Sequence, residues 1–364
     1  KKRFFEIIKS MDKNNSKLSG KHAFELYDTF GFPLEATNVL AVENNLKTDE
    51  KEFEKLMEEQ RNRSKDASTF AETCINIQSC KNTEFYGYSS LEEESKIVEI
   101  YCNGKQVNEL KPNSTGMLVF EKTCFYPRGG GQRPDFGSIL INNDLVEVLD
   151  ILKIGNEIGV TVRHDKLIKI NDIGLQKVDC EKRAQIAANH TATHILQAAL
   201  IKKFGNTIKQ AGSNVQDDYF TFDFHYSKSM SDEQLNEIEE SINEVIRMGI
   251  DVACKCVLYE EAMKMGALAF FEEKYDPKSV RVVKIGNIST ELCGGTHVKN
   301  TKDLGVLFIT SFNSIASGVK RITGIAGEQA YKLAQSWKQF AIDNSRKYKS
   351  PLNEISEILK KQDE

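Results

Sequence analysis

The sequence predicts an α+β chain in which a helical N-terminal segment leads into a small β-barrel subdomain and then a two-layer α/β core. Three observations carry this expectation. Apolar residues recur at helical spacing through residues 1–66, short β-branched and aromatic runs fill 67–163, and helices and strands mix through 164–330 before a helical connector at 331–364. At 364 residues the chain is long enough for roughly two to three domains.

Within 1–66, Phe4, Phe5, Ile7, Ile8 and Met11 recur at helical spacing. LSGKHAFELYDTFGFPLEAT holds a short helix and a Gly-Phe-Pro stop. Asp49 to Lys65 forms a charged amphipathic helix carrying Phe53, Leu56 and Met57, its charge run being a solvated face. In 67–163 the runs KIVEIYC, MLVF, SILIN, LVEVLDI and IGVTVR are punctuated by NGK, RGGGQ and NND, the spacing of a small barrel or sandwich. EKRAQIAANHTATHILQAALIKKFG then reads as a long helix ending at Gly205, with Ile186, His190, His194 and Gln197 along one stripe. YFTFDFHY alternates as a strand. SMSDEQLNEIEESINEVIRMG opens with Ser231 and Gln234 at capping-box spacing and buries Leu235, Ile238, Ile242, Val245 and Ile246. VRVVKI and GVLFITS are strands on either side of the Cys293 loop. Cys254 and Cys256 share a face of a strand and read as packing thiols. Residues 326–347 begin another amphipathic helix.

Composition narrows the function classes. No stretch approaches the ~20 apolar residues of a membrane span, and the charged start KKRFFEIIKS lacks the apolar core of a signal peptide. A net charge of −4 argues against a non-specific nucleic-acid coat but leaves room for a local basic patch that docks a folded RNA. Eight cysteines without framework spacing fit a reducing compartment. Cytoplasm is the expected location, with an organellar origin left open; the oligomeric state is not legible. Because a helical pattern is already under way at residue 1, the chain reads as cut from something longer.

The chemistry concentrates in two short motifs. His190 and His194 stand at i and i+4 on the predicted helix, so both imidazoles face one way. Cys293-Gly-Gly-Thr-His297 places a thiolate and an imidazole on one glycine-flexed loop. The chain has six histidines, and three of them fall in these two motifs, which makes convergence on one ion the economical reading. Nitrogen and sulfur donors suit zinc over calcium or magnesium. Four protein ligands would make a closed structural site, and three with an exchangeable position a catalytic one; spacing leaves both open. The string HTATH has Thr191 where a zinc peptidase of the HExxH kind needs its glutamate base, so that class is excluded.

HTATH and CGGTH resemble the editing domain of alanyl-tRNA synthetases. The resemblance extends through LSGKHAFELYDTFGFPLEAT, VDCEKRAQIAANHTATHILQAAL, KQAGSNV with FDFH, VRVVKIGNISTELCGGTHV and IASGVKRITGIAG, in the family's order and over nearly the whole chain. It implies that residues 1–66 are the C-terminal end of the helical tRNA-recognition region, 67–163 a barrel subdomain with a glycine-rich loop, and 164–330 the zinc-binding editing core. Two strings depart from the family: YPRGGGQRPDFG carries Arg128 where a small or acidic residue is usual, and FFEEKYDP lacks the usual glycine. Nothing resembles the class II aminoacylation motifs, so this stretch is not expected to charge tRNA.

The resemblance further implies hydrolysis of the ester joining serine or glycine to the acceptor end of tRNA for alanine. An apolar alanine pocket rejects smaller glycine or an added hydroxyl only weakly, so a second site must discriminate. Thr193 and Gln210 match positions around the family's editing pocket, and their polar groups would be left unpaired by alanine. For Thr193 alone, a hydroxyl bonding back to the preceding helical turn is the plainer reading. Gly129, Gly130 and Gln132 could cradle the terminal nucleotide through backbone amides, or form an ordinary turn. Arg183, Lys320 and Arg321 are candidate phosphate contacts, against a default of solvated surface. Two rivals remain: a non-catalytic zinc-stabilised tRNA-binding module, and a free-standing trans-editing deacylase, which the helical lead-in disfavours.

Overall fold

The structure, a computed structural model, describes residues 4, 7–8, 17–28, 34–44, 46–55, 82–205, 207–269, 276–316, 318–355 and 358. The chain divides into two compact units, Lys1–Ile77 and Gln78–Glu364.

In the first unit a two-residue strand, β1 (Lys17–Leu18), precedes helices α1 (Gly20–Asp28) and α2 (Leu34–Glu43), and β2 (Lys47–Thr48) returns to pair parallel with β1. Phe4, Ile7, Leu18, Leu26, Leu40 and Ala41 form its core. Of the helix expected from Asp49, residues 50–55 are helical and Phe53 is buried. Its continuation through Leu56 and Met57, together with Phe5, Met11 and the Gly-Phe-Pro stop, lies outside the described residues.

The second unit begins with β3 (Glu84–Phe85), which pairs parallel with a later short strand, and then builds a closed antiparallel barrel. Its strands are β4 (Glu92–Cys102), with β5 (Lys105–Val107) folded back on its end, then, past the short β6 (Glu109–Leu110), β7 (Thr115–Phe120). The short β8 (Lys122–Thr123), β3's partner, precedes β9 (Gly137–Ile141), β10 (Asp144–Ile154) and β11 (Glu157–Arg163). After β12 (Ile168–Lys169), which pairs with β6, the strand β13 (Ile173–Val178) bonds to both β9 and β4 and closes the ring in the order β4-β13-β9-β10-β11-β7. Register shifts at Val148/Asp150 and Ile97/Glu99 mark the bulges at which long strands bend enough to close. Alternate residues such as Ile97, Leu118, Phe120, Ile139, Val146 and Val160 fill the interior. The five expected runs all form strands, but the closing strand lies past residue 163, in IGLQKV, whose polar residues mask its role.

The core that follows has two layers. Helix α3 (Cys180–Phe204) is capped by Asp179, whose carboxylate accepts from Lys182 N at 3.0 Å, and ends on Gly205 at φ 83°. It packs with α4 (Asp232–Met248) against the antiparallel sheet of β14 (Gln210–Val215), β15 (Phe220–His225), β20 (Val319–Ala326) and β19 (Leu307–Ala316). Helix α4 shows the expected Ser231–Gln234 capping box, with Ile238, Ile242, Val245 and Ile246 buried and Leu235 half-buried. A second antiparallel sheet, β16 (Val252–Val257), β17 (Val280–Ile285) and β18 (Ser289–Leu292), packs with the short helix α5 (Tyr259–Lys264). Cys254 and Cys256 are exposed on edge strand β16, so they are not packing thiols. Helix α6 (Gly327–Tyr348) leaves β20 with Tyr331, Trp337 and Phe340 exposed. Among the described residues no helix is long and apolar enough to cross a membrane. Residues 270–275 of the FFEEKYDP string lie outside the described residues.

Candidate metal centre

Helix α3 is buried nearly all round, so its polar stripe of His190, Thr193, His194 and Gln197 faces an interior cleft rather than bulk water. The loop after β18 brings Cys293 and His297 to the same place. The ligand atoms of His190, His194, Cys293 and His297 lie within 4.8 Å of one another. Cys293 Sγ is 3.4 Å from His190 Nε2 and 3.3 Å from His297 Nε2. Donors 2.0–2.3 Å from a tetrahedral ion stand about 3.5 Å apart, so these separations suit one metal.

The opposite nitrogen of each ring explains why the Nε2 atoms face inward. His190 Nδ1 is 2.7 Å from Gln132 Oε1, an oxygen that also accepts from Thr296 N at 2.8 Å. His297 Nδ1 is 3.1 Å from Thr191 Oγ1, whose own proton goes to Ala187 O. His194 Nδ1 stands 2.9 Å from Glu291 Oε2, both groups buried. Gln132 Oε1 and Thr191 Oγ1 are acceptors, so His190 and His297 keep the proton on Nδ1 and turn Nε2 inward as a lone pair. Burial alone would raise the Cys293 thiol, but the surrounding imidazoles, His190 foremost, outweigh it and hold the thiol well below its usual range. Burial opposes charge on His194, yet Glu291 and Cys293 together push it up to about 10, while burial takes His297 down to about 3. The thiolate and the inward Nε2 atoms of His190 and His297 suit a soft cation, which on binding would replace the proton that Glu291 and Cys293 hold on His194.

Close approach depends on Gly295. A Cβ there would fall 1.9 Å from His190 Cε1, so no side chain fits between loop and helix. The loop is gripped from behind by Arg281, whose Nη1 donates to Cys293 O and Gly295 O, each at 2.8 Å. Gln132 arrives on a tight turn. Gly129 and Gln132 exchange backbone hydrogen bonds of 3.2 and 2.9 Å, and Gly130 and Gly131 take φ of 59° and 81°, as in a type I′ turn. The amides of Gly129 and Gln132 are therefore engaged within the turn rather than free to cradle a nucleotide, and Gln132 enters the site through its side chain, against His190.

A cleft of about 570 Å³ opens beside the cluster between barrel and core. Thr193, Gln210, Gly130, His190, His194 and Cys293 line it together. Thr193 Oγ1 donates to His190 O at 2.7 Å, the back-bond of the plainer reading, and its oxygen still offers lone pairs to the cleft. Arg183 corrects the expectation of a phosphate contact. It is 7% exposed, with Nε on Asp135 Oδ1 at 2.6 Å, Nη1 on Gly87 O at 2.6 Å and Nη2 on Cys124 O at 3.0 Å. Such a guanidinium ties helix to barrel and cannot reach solvent. Arg321 holds Asp223 through two bonds of 2.7 and 2.8 Å, and Lys320 reaches Ser314; neither lines the cleft. Sequence reasoning missed Glu291, Arg281 and Asp135. The buried alternation of Ser289 and Glu291 in STEL was the available signal for the first; the other two depend on partners distant in sequence.

Residues 1–182 match the family model described as tRNA synthetases class II (A), and 280–323 match that of the threonyl and alanyl tRNA synthetase second additional domain. The chain is similar to an alanine–tRNA ligase of Idiomarina loihiensis, 40% identical over 319 residues that cover 87% of this chain and 37% of that protein. It is likewise similar to alanine–tRNA ligases of Wigglesworthia glossinidia brevipalpis, 38% identical over 98% of this chain and 42% of the relative, and of Fervidobacterium nodosum, 37% identical over 99% and 42%. The chain thus spans about two fifths of the length of these relatives.

Proposed function

The chain belongs to the class II (A) tRNA synthetase family, and from that premise we propose that its cleft is an editing site, hydrolysing the ester of Ser-tRNA(Ala) and Gly-tRNA(Ala) at the acceptor end. The observation that carries this reading is the convergence, on one cleft, of a possible metal site with the hydrogen-bonding side chains Thr193 and Gln210. We take the ion to be zinc, held by His190, His194, Cys293 and His297, since three imidazoles and a thiolate suit it better than any hard cation. Bound there, zinc would supply Lewis acidity to the ester or its attacking water.

The remaining work falls to the chain's own groups. Thr193 Oγ1, its proton directed to His190 O, is left as an acceptor for the hydroxyl of a seryl group, and Gln210 offers both donor and acceptor from the facing strand. Alanine would bury against both without satisfying either, so the site selects against the correct amino acid by leaving polar groups unpaired. On this reading 1–66 close the tRNA-recognition region, 67–163 are the barrel subdomain, whose closing strand runs on into 164–330, the editing core, and 331–364 lead onward as a connector. Gly130 serves the turn that delivers Gln132, which orients His190.

The test is deacylation of Ser-tRNA(Ala) and Ala-tRNA(Ala) by the zinc-loaded chain. Turnover of the seryl ester with the alanyl ester spared is the expected result. Binding of both without turnover would overturn the reading in favour of a non-catalytic tRNA-binding module.

A further inference from the structure

The backbone of the Cys293–Gly294–Gly295 loop is engaged at every polar group but one. Cys293 O and Gly295 O accept from Arg281, and Gly294 O accepts from Tyr88 Oη. Cys293 N donates to Arg281 O at 3.0 Å, Gly295 N to Cys293 Sγ at 3.4 Å and Thr296 N to Gln132 Oε1 at 2.8 Å. The Gly294 N–H alone has no partner among the described residues. Its direction follows from the peptide plane. In a trans peptide the N–H points opposite the preceding C=O, so with Cys293 O turned onto Arg281 the Gly294 N–H points away from it. The next peptide but one shows the same arrangement: Gly295 O is on Arg281, and Thr296 N–H is on Gln132, across the loop.

Two cavities flank this loop. Arg281 lines one of about 800 Å³, whereas Cys293, Gly294 and Gly295 line the metal cleft. Space beside Gly294 is open, since a Cβ there would meet nothing nearer than Tyr88 Oη at 4.0 Å. Arg281 is itself held in place, its guanidinium carbon 4.1 Å from the centre of the Tyr88 ring.

We propose that the Gly294 N–H is the oxyanion donor for the scissile ester carbonyl, and that Arg281 is the positioning residue that aims it. This rests on the editing reading above. Water oxygen adds to the ester carbon, the π pair moves onto the carbonyl oxygen, and the Gly294 N–H meets the new charge. When the pair returns, the bond to the ribose oxygen breaks. That oxygen takes one of the water's protons, the other passes to solvent, and the amino acid leaves as its carboxylate.

The decisive variant replaces Gly294 by glycolic acid, which exchanges this one N–H for an oxygen and leaves the loop otherwise intact. Three measurements are made on it and on the parent: zinc content, single-turnover deacylation of Ser-tRNA(Ala), and affinity for a planar seryl-amide adenosine and for its tetrahedral phosphonate counterpart. Removal of an oxyanion donor should slow turnover about 10²–10³-fold and weaken phosphonate binding comparably, with zinc content unchanged and planar-analogue binding within about threefold. A turnover rate within about threefold of the parent overturns the inference while leaving editing intact. Failure of the parent itself to turn over Ser-tRNA(Ala) would instead sink the editing reading, and this inference with it. Should the glycolate variant lose zinc, Arg281→Lys, able to hold only one of the two carbonyls, decides in its place. A kcat lowered about tenfold or more at constant KM and zinc content supports the assignment, and an unchanged kcat refutes it.

Discussion

Gly295→Ala tests whether the approach of loop to helix sets the metal centre. The new methyl would fall 1.9 Å from His190 Cε1, 2.2 Å from His190 Nδ1 and 2.9 Å from Gln132 Oε1. Carbon contacts settle near 3.5–4.0 Å, so ring and loop must separate by roughly 1.5 Å. Neither side can yield easily. His190 is 4% exposed on α3 and braced by Gln132, and the loop is clamped by Arg281. Metal–ligand distances hold to about ±0.2 Å, so a displacement this large removes His190 or Cys293 from the donor set. Loss of a supporting partner alone weakens metal binding about 10–100-fold, and loss of a ligand should exceed it. We expect zinc affinity to fall at least ~100-fold, close to 2.7 kcal/mol, by competition against a chromogenic chelator, with far-UV circular dichroism unchanged. Affinity within about threefold of the parent would refute the argument, because the contact would then have relaxed without cost to the site.

Other changes probe the supports. Arg183→Leu leaves the Asp135 carboxylate buried without its counter-ion and should cost about 3–5 kcal/mol in urea unfolding; a loss under 1 kcal/mol would show the pair to be dispensable. Burial already lifts the Asp135 carboxyl above its usual range despite Arg183. In the variant it rises further, so the deficit should grow as pH climbs from the unfolded pKa through the raised folded one and shrink in acid. Glu291→Gln removes the charge beside His194 Nδ1 and should weaken zinc binding about 10–100-fold without unfolding the chain, as read by the same chelator competition. Chelation of zinc should lower the thermal midpoint and zinc addition restore it, whereas Cys293→Ala should show no such zinc-dependent shift.

Much of the site was legible because its signals are local. His190 and His194 share a helical stripe, Cys293 and His297 share a loop, and the Ser231 box and Gly205 mark helix ends at fixed offsets. What escaped depends on partners far away in sequence. The barrel closes through β13 and β4, whose pairing sets Ile173 against Lys96, and no local pattern announces a ring rather than an open sandwich. Arg183 looked like a surface cation on a helix because Asp135, its counter-ion, comes 48 residues earlier. Cys254 and Cys256 do lie on one strand, but packing requires a covering layer, and edge strand β16 leaves both exposed. Gln132 was read for its backbone, whereas its side chain is what reaches His190.

The ligand set also has a topological effect. Cys293 lies 103 residues beyond His190, so an ion held by both would cross-link the chain into a loop containing α4 and all of the second sheet. Closing a loop of about a hundred residues removes unfolded-state freedom worth roughly 4–5 kcal/mol in chain-entropy terms. That cost is logarithmic, with each doubling of length adding only about 0.6 kcal/mol. Insertions and deletions between the two motifs should therefore be nearly neutral for the metal, provided both ends still arrive at α3. The FFEEKYDP stretch sits inside that loop. Its length can change at little cost to the centre.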